Sequence, residues 1–144
     1  MTTLTAIREF LATTFPQSKG VVEQVGDGTA TVRQPVGFDE LRPGGTVSGP
    51  VMMAAADLAL YVAILGVIGI VPLTVTTNLN INFLRKPAPG RDIIAVCKLL
   101  KLGKTLAVGE VCLYSAGDPD CVAHAVGTYS IPKPGTTPGD VRAG

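Results

Sequence analysis

Residues 73–83 read LTVTTNLNINF, and apolar and polar side chains alternate along them. The odd-numbered positions are apolar except for one threonine, and the even-numbered positions are threonine or asparagine. This period of two predicts a β-strand, and its single apolar face predicts an antiparallel sheet with one side on the core. The strand should end before Pro87, because proline cannot donate a hydrogen bond to a neighbouring strand.

The preceding segment, residues 51–73, is a long apolar run with one charged side chain, Asp57. Its length would be enough to span a bilayer. However, Asp57 lies near its start, and two glycines and Pro72 lie near its end, which reduces the helical part to about 16–20 residues. We therefore predict a central helix buried against the sheet, and no membrane partner.

Turn residues separate the other predicted elements. A short amphipathic helix is expected before Pro16, and Gly26-Asp27-Gly28 favours a hairpin. Strands are predicted at residues 21–25, 29–33, 93–102, 105–114 and 122–131, of which the last three form a meander. This order of short helix, strand pair, long helix and antiparallel strands predicts an α+β fold rather than alternating βαβ units.

Length and composition limit the class of protein further. The chain has 144 residues, 47% hydrophobic residues and a formal net charge of +1, which suits one domain with one core and gives no basic surface for nucleic acid. We predict a single domain over residues 1–131 and a loose tail over residues 132–144. The N-terminal residues lack the features of a secretory signal, so a cytoplasmic location is expected.

The chemistry-bearing residue types are few. Three cysteines without C-x-x-C spacing and a single histidine support neither a disulfide framework nor a metal site. Gly103-Lys104-Thr105 imitates the end of a phosphate-binding loop, but Lys98 stands where the loop's first glycine belongs. No Gly-x-Ser-x-Gly sequence occurs, and His124 lies in a predicted strand, where a packed or edge imidazole is the commoner role.

Asp57 is the strongest candidate for a functional residue. It lies eight residues after Gly49, inside an apolar run. An ionised carboxylate in apolar surroundings costs several kcal/mol unless it is paired, hydrogen-bonded or protonated. Such a position is therefore a candidate site before any family is considered.

Two stretches carry a resemblance to a known family. Residues 42–57 read RPGGTVSGPVMMAAAD and residues 78–90 read NLNINFLRKPAPG, and together they resemble the PaaI-type acyl-CoA thioesterases of the hotdog superfamily. The similarity covers residues 20–131. It implies a hotdog fold, in which an antiparallel sheet wraps around a long central helix. It also implies a homodimer or a dimer of dimers, with the active site across the subunit interface.

The resemblance implies a role for three residues. Gly49 would offer its backbone N–H at the helix start to the thioester carbonyl, where helix N–H groups and partial positive charge favour an oxyanion. Asp57 from the opposite subunit would be the nucleophile or the base that activates water. Thr76 would support the attacking water, although a plain polar strand face is an equal alternative. The reaction implied is hydrolysis of an acyl-CoA without a metal or redox cofactor, with coenzyme A as part of the substrate.

The chain departs from the family pattern at two positions. Many relatives have histidine where this chain has Ser48, which suits either a helix N-cap or a substrate contact. Many have asparagine where Arg42 falls; Arg42 could contact CoA, hold a substrate carboxylate, or pair with Asp39 or Glu40.

Basic residues follow the strand ends, where the family meets the phosphates of CoA. Arg85, Lys86 and Lys104 are the candidates for this contact. Exposed lysines at turns are usually solvated without a partner, so that alternative stays open.

Two other functions are alternatives to thioester hydrolysis. A hotdog dimer could bind an acyl-CoA or another small apolar ligand without converting it, although such a protein gains nothing from Asp57. A hydratase or dehydratase on the same fold would require His124 to approach Asp57.

Overall fold

The structure is a computed structural model, and it describes residues 2–133. Within that part of the chain, two helices and six strands follow one another. They are α1 (Leu4–Thr14), β1 (Val21–Val25), β2 (Thr29–Gln34), α2 (Gly49–Ile68), β3 (Val75–Phe83), β4 (Ile93–Leu102), β5 (Leu106–Ser115) and β6 (Cys121–Ser130), with a short 3-10 turn at Phe38–Glu40. The predicted tail falls outside the described residues from position 134 onward.

All neighbouring strands are antiparallel, in the order β1-β2-β4-β5-β6-β3. The predicted hairpin β1–β2 and the meander β4–β5–β6 are both confirmed. β3 pairs with β6 rather than with the next strand along the chain, and it forms one edge of the sheet. The predicted α+β hotdog fold is confirmed, with α2 packed on the inner face of a six-stranded sheet.

The central helix packs closely on the sheet at Leu60. This side chain is fully buried, and a Cβ atom placed at Gly109 or Gly127 would lie 2.7 Å or 2.5 Å from its methyl carbons. Two neighbouring strands therefore need glycine where the helix approaches. α2 is long and apolar enough to cross a membrane, but 61% of its 18-residue apolar window is buried inside the fold. The helix accordingly forms the core of the domain.

Local sequence signals define both ends of α2. Ser48 is the N-cap, and its side chain accepts a hydrogen bond from the backbone N–H of Val51 at 3.4 Å. Pro50 occupies the first turn, where its missing N–H costs nothing. Gly69 ends the helix at a φ of 97°, which favours glycine, and its N–H donates to the carbonyl of Leu65.

Strand β3 departs from the strict alternation that its sequence predicts. Its pairing with β6 shifts by one residue between Thr76 and Asn78. Thr76 therefore lies opposite Tyr129 and turns towards α2, whereas alternation from Leu79 would direct it to the outer face. The predicted polar face of the strand is thus wrong at Thr76, because an irregularity in the ladder reverses the side-chain direction.

The first helix covers one end of the core. Ile7 and Leu11 on α1 are buried, and the guanidinium of Arg8 donates two hydrogen bonds, of 2.8 and 2.6 Å, to the carbonyl oxygen of Val22 on β1. The ring of Phe10 lies 6.4 Å from that of Tyr61 on α2. These contacts place the end of α1 beside the second half of α2.

Candidate active site

A cleft of about 810 Å³ opens between the end of α1, the middle of α2 and the start of β3. Phe10 and Phe15 form one wall, Leu58 and Tyr61 another, and Asp57 lies among these mostly apolar side chains. Charged side chains, Lys19, Asp39 and Glu40, also line this cleft.

Two hydroxyl groups hold one oxygen of the Asp57 carboxylate. Thr76 donates to Oδ1 at 2.7 Å, and the phenol of Tyr129 lies 2.5 Å from the same oxygen. The phenol also lies 2.9 Å from the backbone carbonyl oxygen of Asp57. Since a phenol has one hydrogen, the shorter contact to the carboxylate is the main hydrogen bond.

The second carboxylate oxygen, Oδ2, is not held in this way. Among residues 2–133, no donor lies within hydrogen-bond distance of it. Among the described residues, the hydroxyl of Thr74 is the one fully buried side-chain polar atom that has no hydrogen-bond partner. Oδ2 also has no partner, so it is not fully buried. Oδ2 is therefore the carboxylate oxygen that keeps its lone pairs free.

Tyr129 is the site residue that the sequence did not reveal. It is 3% exposed, and its ring lies 6.2 Å from that of Tyr61. Burial first, and then the charge and hydrogen bond of Asp57, raise the pKa of the Tyr129 phenol above its ordinary value. The phenol therefore stays protonated and remains a donor at neutral pH. In the sequence, the alternation of β6 predicts that the side chain of Tyr129 points inward. The same pattern holds for every core residue of that strand, so it does not distinguish Tyr129.

Gly49 lies at the first position of α2, and no acceptor for its N–H is found in the described part of the chain. A Cβ atom at this position would meet the ring of Phe83 at 3.2 Å. Eight residues of helix separate Gly49 from Asp57, which corresponds to about 12 Å. Gly49 does not line the cleft around Asp57, so one copy of the chain does not bring the two predicted residues together.

Ser48 and Arg42 lie before the helix, outside the cleft. Of the two roles predicted for Ser48, N-cap or substrate contact, the structure shows the N-cap. Arg42 is exposed in a turn, and within residues 2–133 it forms no ion pair. Its suggested pairing with Glu40 is wrong, because Glu40 pairs with Lys19 at 3.4 Å instead.

The predicted phosphate contacts lie at opposite ends of the sheet. Arg85 and Lys86 follow the end of β3, and Arg85 pairs with Asp120 at 3.3 Å. Lys104 is exposed in the turn between β4 and β5, at the same end of the sheet as the start of β3. Along β6, the residues that pair with these two ends of β3, Ala123 and Ser130, are seven positions apart, which is roughly 23 Å. A single copy does not gather the three cations around one ligand.

His124 lies on the outer face of the sheet. It opposes Cys112 across the β5–β6 ladder, and its Nε2 lies 3.1 Å from a carboxylate oxygen of Glu110. Tyr129 and the other inward residues of β6 lie on the opposite face of the sheet from His124. Within one copy of the chain, the sheet therefore separates His124 from Asp57, and the pair that the hydratase alternative requires does not form.

The remaining titratable groups do not assemble a metal site. Within residues 2–133, no group of three or more His, Cys, Asp or Glu side chains is placed to hold a metal ion. All three cysteines are free; Cys97 is buried, and Cys112 and Cys121 are half-buried.

The family model of the thioesterase superfamily matches residues 44–122, a segment that contains α2, Asp57 and Thr76. The chain belongs to the thioesterase superfamily. No curated protein matches the sequence.

Solved structures of other proteins share the fold of this thioesterase-superfamily chain. A candidate thioesterase from a Silicibacter species is 43% identical over 91% of this chain and 92% of that one, with a TM-score of 0.84. A mutant of the phenylacetic acid degradation protein PaaI from Thermus thermophilus is 24% identical over 86% and 99%, with a TM-score of 0.71. These matches confirm the predicted resemblance to PaaI-type hotdog proteins.

A third structure contains a ligand. A Streptococcus mutans protein bound to acetyl CoA is 18% identical to this superfamily member over 80% of this chain and 90% of that one, with a TM-score of 0.71. At that identity the likeness concerns the fold alone.

Proposed function

We propose that the chain hydrolyses an acyl-CoA thioester to a free acid and CoA. The observation that carries this proposal is the Asp57 carboxylate, which lines the cleft and has one oxygen fixed by Thr76 and Tyr129 while the other has no hydrogen-bond partner. Membership of the thioesterase superfamily supports thioester hydrolysis. The acetyl-CoA complex of a protein with the same fold supports a CoA ester as the substrate.

Asp57 can act by either of two balanced routes. In the first, a carboxylate oxygen bonds to the acyl carbon as the C–S bond breaks and CoA leaves as a thiolate; water then hydrolyses the mixed anhydride to the free acid and the Asp57 carboxylate, and the proton that is released goes to the thiolate. In the second, Asp57 takes a proton from a water molecule whose oxygen bonds to the acyl carbon, and the proton passes to the departing thiolate. Thr76 supports both routes by donating to the carboxylate. Neither route uses a metal or a redox cofactor.

A second copy of the chain supplies the group that polarises the carbonyl. β3 is an edge strand, and an edge presents unpaired backbone groups to another strand. In the proposed homodimer, the free N–H of Gly49 from one copy faces the cleft that holds Asp57 of the other. An N–H at the start of a helix suits the developing oxyanion. Two such dimers can associate as a tetramer.

The CoA part of the substrate carries phosphate groups, which basic side chains bind. We assign this contact to Arg85, Lys86 and Lys104, with Arg42 and Ser48 beside the start of α2. Arg85 and Lys86 are far from Lys104 in one copy of the chain. In the proposed dimer, one ligand can contact cations from both copies.

Thiol release from acetyl-, medium-chain, long-chain and aryl-acyl-CoA tests the proposed function. Wild type is compared with Asp57→Asn and Asp57→Ala, and with Asp27→Asn as a control at an exposed hairpin turn. We expect wild type and the control to hydrolyse at least one substrate, and both Asp57 variants to lose about a hundredfold or more.

The opposite result would favour the ligand-binding alternative. That alternative would be supported if wild type binds an acyl-CoA but releases no thiol from any of these substrates. Equal rates for wild type and the Asp57 variants would remove Asp57 from the mechanism.

A further inference from the structure

We propose that Tyr129 is a positioning residue, which together with Thr76 fixes Oδ1 of Asp57 so that Oδ2 is the oxygen that reacts. This inference rests on the proposed function and adds to it both a residue and a choice between the two carboxylate oxygens.

The hydrogen bonds of Asp57 are all on one side of its carboxylate. Thr76 and Tyr129 both approach Oδ1, at 2.7 and 2.5 Å. No described residue donates a hydrogen bond to Oδ2, and Asp57 lines the cleft. The hydroxyls orient the group through Oδ1, and they leave the lone pairs of Oδ2 free for an acyl carbon or a water proton.

Tyr129 is well suited to hold a fixed direction. Its ring is 3% exposed and packs beside Tyr61, so few other side-chain positions are open to it. Its phenol oxygen also lies 2.9 Å from the backbone oxygen of Asp57. The phenol therefore contacts both the backbone and the side chain of the residue that it orients.

The same strand also fixes the helix. Gly127 lies two residues before Tyr129 on the inner face of β6 and receives Leu60, three residues after Asp57 on α2. The close approach at Leu60 and the hydrogen bond at Tyr129 thus connect the same two elements. This second contact limits movement of Asp57 relative to the phenol.

The chemical state of the phenol supports the assignment. Burial and the nearby carboxylate raise the pKa of Tyr129, so its phenol keeps its hydrogen at neutral pH. A permanent donor at Oδ1 lets proton transfer or attack take place at Oδ2 only. Tyr129 touches Asp57 and need not touch the substrate.

The contact can be measured without any reaction, by NMR of protein labelled with ¹³C at the ζ carbon of tyrosine. The chain has three tyrosines, and Tyr129→Phe assigns the resonance of Tyr129 by its loss. We expect Asp57→Asn to move that resonance, while that of Tyr114, on the outer face of the sheet, keeps its position. An unchanged Tyr129 resonance in Asp57→Asn would overturn the proposal.

The positioning role is measured by kinetics of Tyr129→Phe. Because a hydrogen bond to a charged group is lost, we expect kcat to fall by at least about tenfold, with KM within about twofold of wild type. Tyr114→Phe is the matched control: it removes a phenol from the outer face of the sheet, where Tyr114 opposes Ile94, and should keep wild-type kinetics.

The outcomes separate this inference from the proposed function. If wild type hydrolyses thioesters and Tyr129→Phe does so equally well, the role of Tyr129 is overturned and the proposed function stands. If wild type hydrolyses none, the proposed function fails, and the catalytic role of Tyr129 fails with it. A loss that appears in KM alone would make Tyr129 a binding residue and would contradict positioning.

Discussion

Thr76 donates its hydroxyl hydrogen to Oδ1 of Asp57 across 2.7 Å and so connects the start of β3 to the third turn of α2. The register shift beside Thr76 turns this hydroxyl inward. The carboxylate is therefore held by an edge strand on one side and, through Tyr129, by the next strand of the sheet.

Removal of the Thr76 hydroxyl should lower the rate of thioester hydrolysis. We expect Thr76→Val to reduce kcat by about tenfold, because Asp57 loses a donor, and Thr76→Ser to keep most of the rate. Thr77→Val is the control, since Thr77 donates to the backbone of Thr128 rather than to Asp57. Equal kcat values for Thr76→Val and Thr77→Val in thiol-release assays would contradict this role.

The approach of α2 to the sheet should not tolerate a side chain at Gly127. A Cβ atom there would lie 2.5 Å from Leu60, so we expect Gly127→Ala to lower the free energy of unfolding by about 1–3 kcal/mol. Gly37→Ala is the control, because its nearest neighbour would be 3.5 Å away. Urea denaturation measures both, and equal stability of the two variants would show that the helix shifts without cost.

Asp92 should contribute stability that depends on pH. It accepts hydrogen bonds from the backbone N–H of Val36 and from Arg33, at 2.9 and 3.0 Å, and these lower its pKa below the ordinary 3.8. A lowered folded-state pKa means that the stabilisation is complete above 3.8 and is lost as the pH falls through the folded value. We expect Asp92→Ala to cost about 1–2 kcal/mol near pH 7.

Urea titrations at about pH 7, 5 and 3 measure this dependence. The difference between wild type and Asp92→Ala should shrink at the lowest pH, whereas Asp27→Ala, at an exposed turn, should match wild type throughout. A difference that grows as the pH falls would contradict the sign.

Cys97 should resist thiol reagents in the folded protein. Burial, followed by the charge of Glu110, raises its pKa to about 12, and the thiolate is the form that reacts. With Ellman's reagent near pH 8, we expect at most two of the three thiols to react until denaturant is added. Cys97→Ala should leave native labelling unchanged, and a loss of native labelling in this variant would show that Cys97 is accessible.

The elements that local sequence signals define could be predicted from the sequence. The predicted strand at residues 93–102 coincides with β4, because its bounding turns lie in the sequence itself. The cap at Ser48 and the end of α2 at Gly69 follow from side-chain and backbone preferences of single residues. Asp57 was recognisable because a charge in an apolar run requires an explanation.

The sequence could not show side-chain directions that depend on how strands far apart in the chain pair with each other. Nothing in residues 73–83 shows that the ladder with β6 shifts at Thr76, so alternation directs its hydroxyl away from the helix. Tyr129 is 72 positions from Asp57 in sequence, and only the folded sheet brings them together. Gly49 and Asp57 are also too far apart on one helix to act on the same substrate, so the sequence motif that contains both can form one site only if two copies of the chain associate.

The most direct test of the central claim is the rate of thiol release from mixed dimers of Asp57→Asn and Gly49→Pro. The second variant removes the N–H of Gly49, and Gly49→Ala, which keeps that N–H beside Phe83, is its control. If each site takes Asp57 from one copy and Gly49 from the other, a mixed dimer has one intact site. An equal mixture with random pairing should then recover about a quarter of the wild-type rate, although each variant alone is nearly inactive. A mixture no faster than the mean of the two variants would contradict the shared thioesterase site.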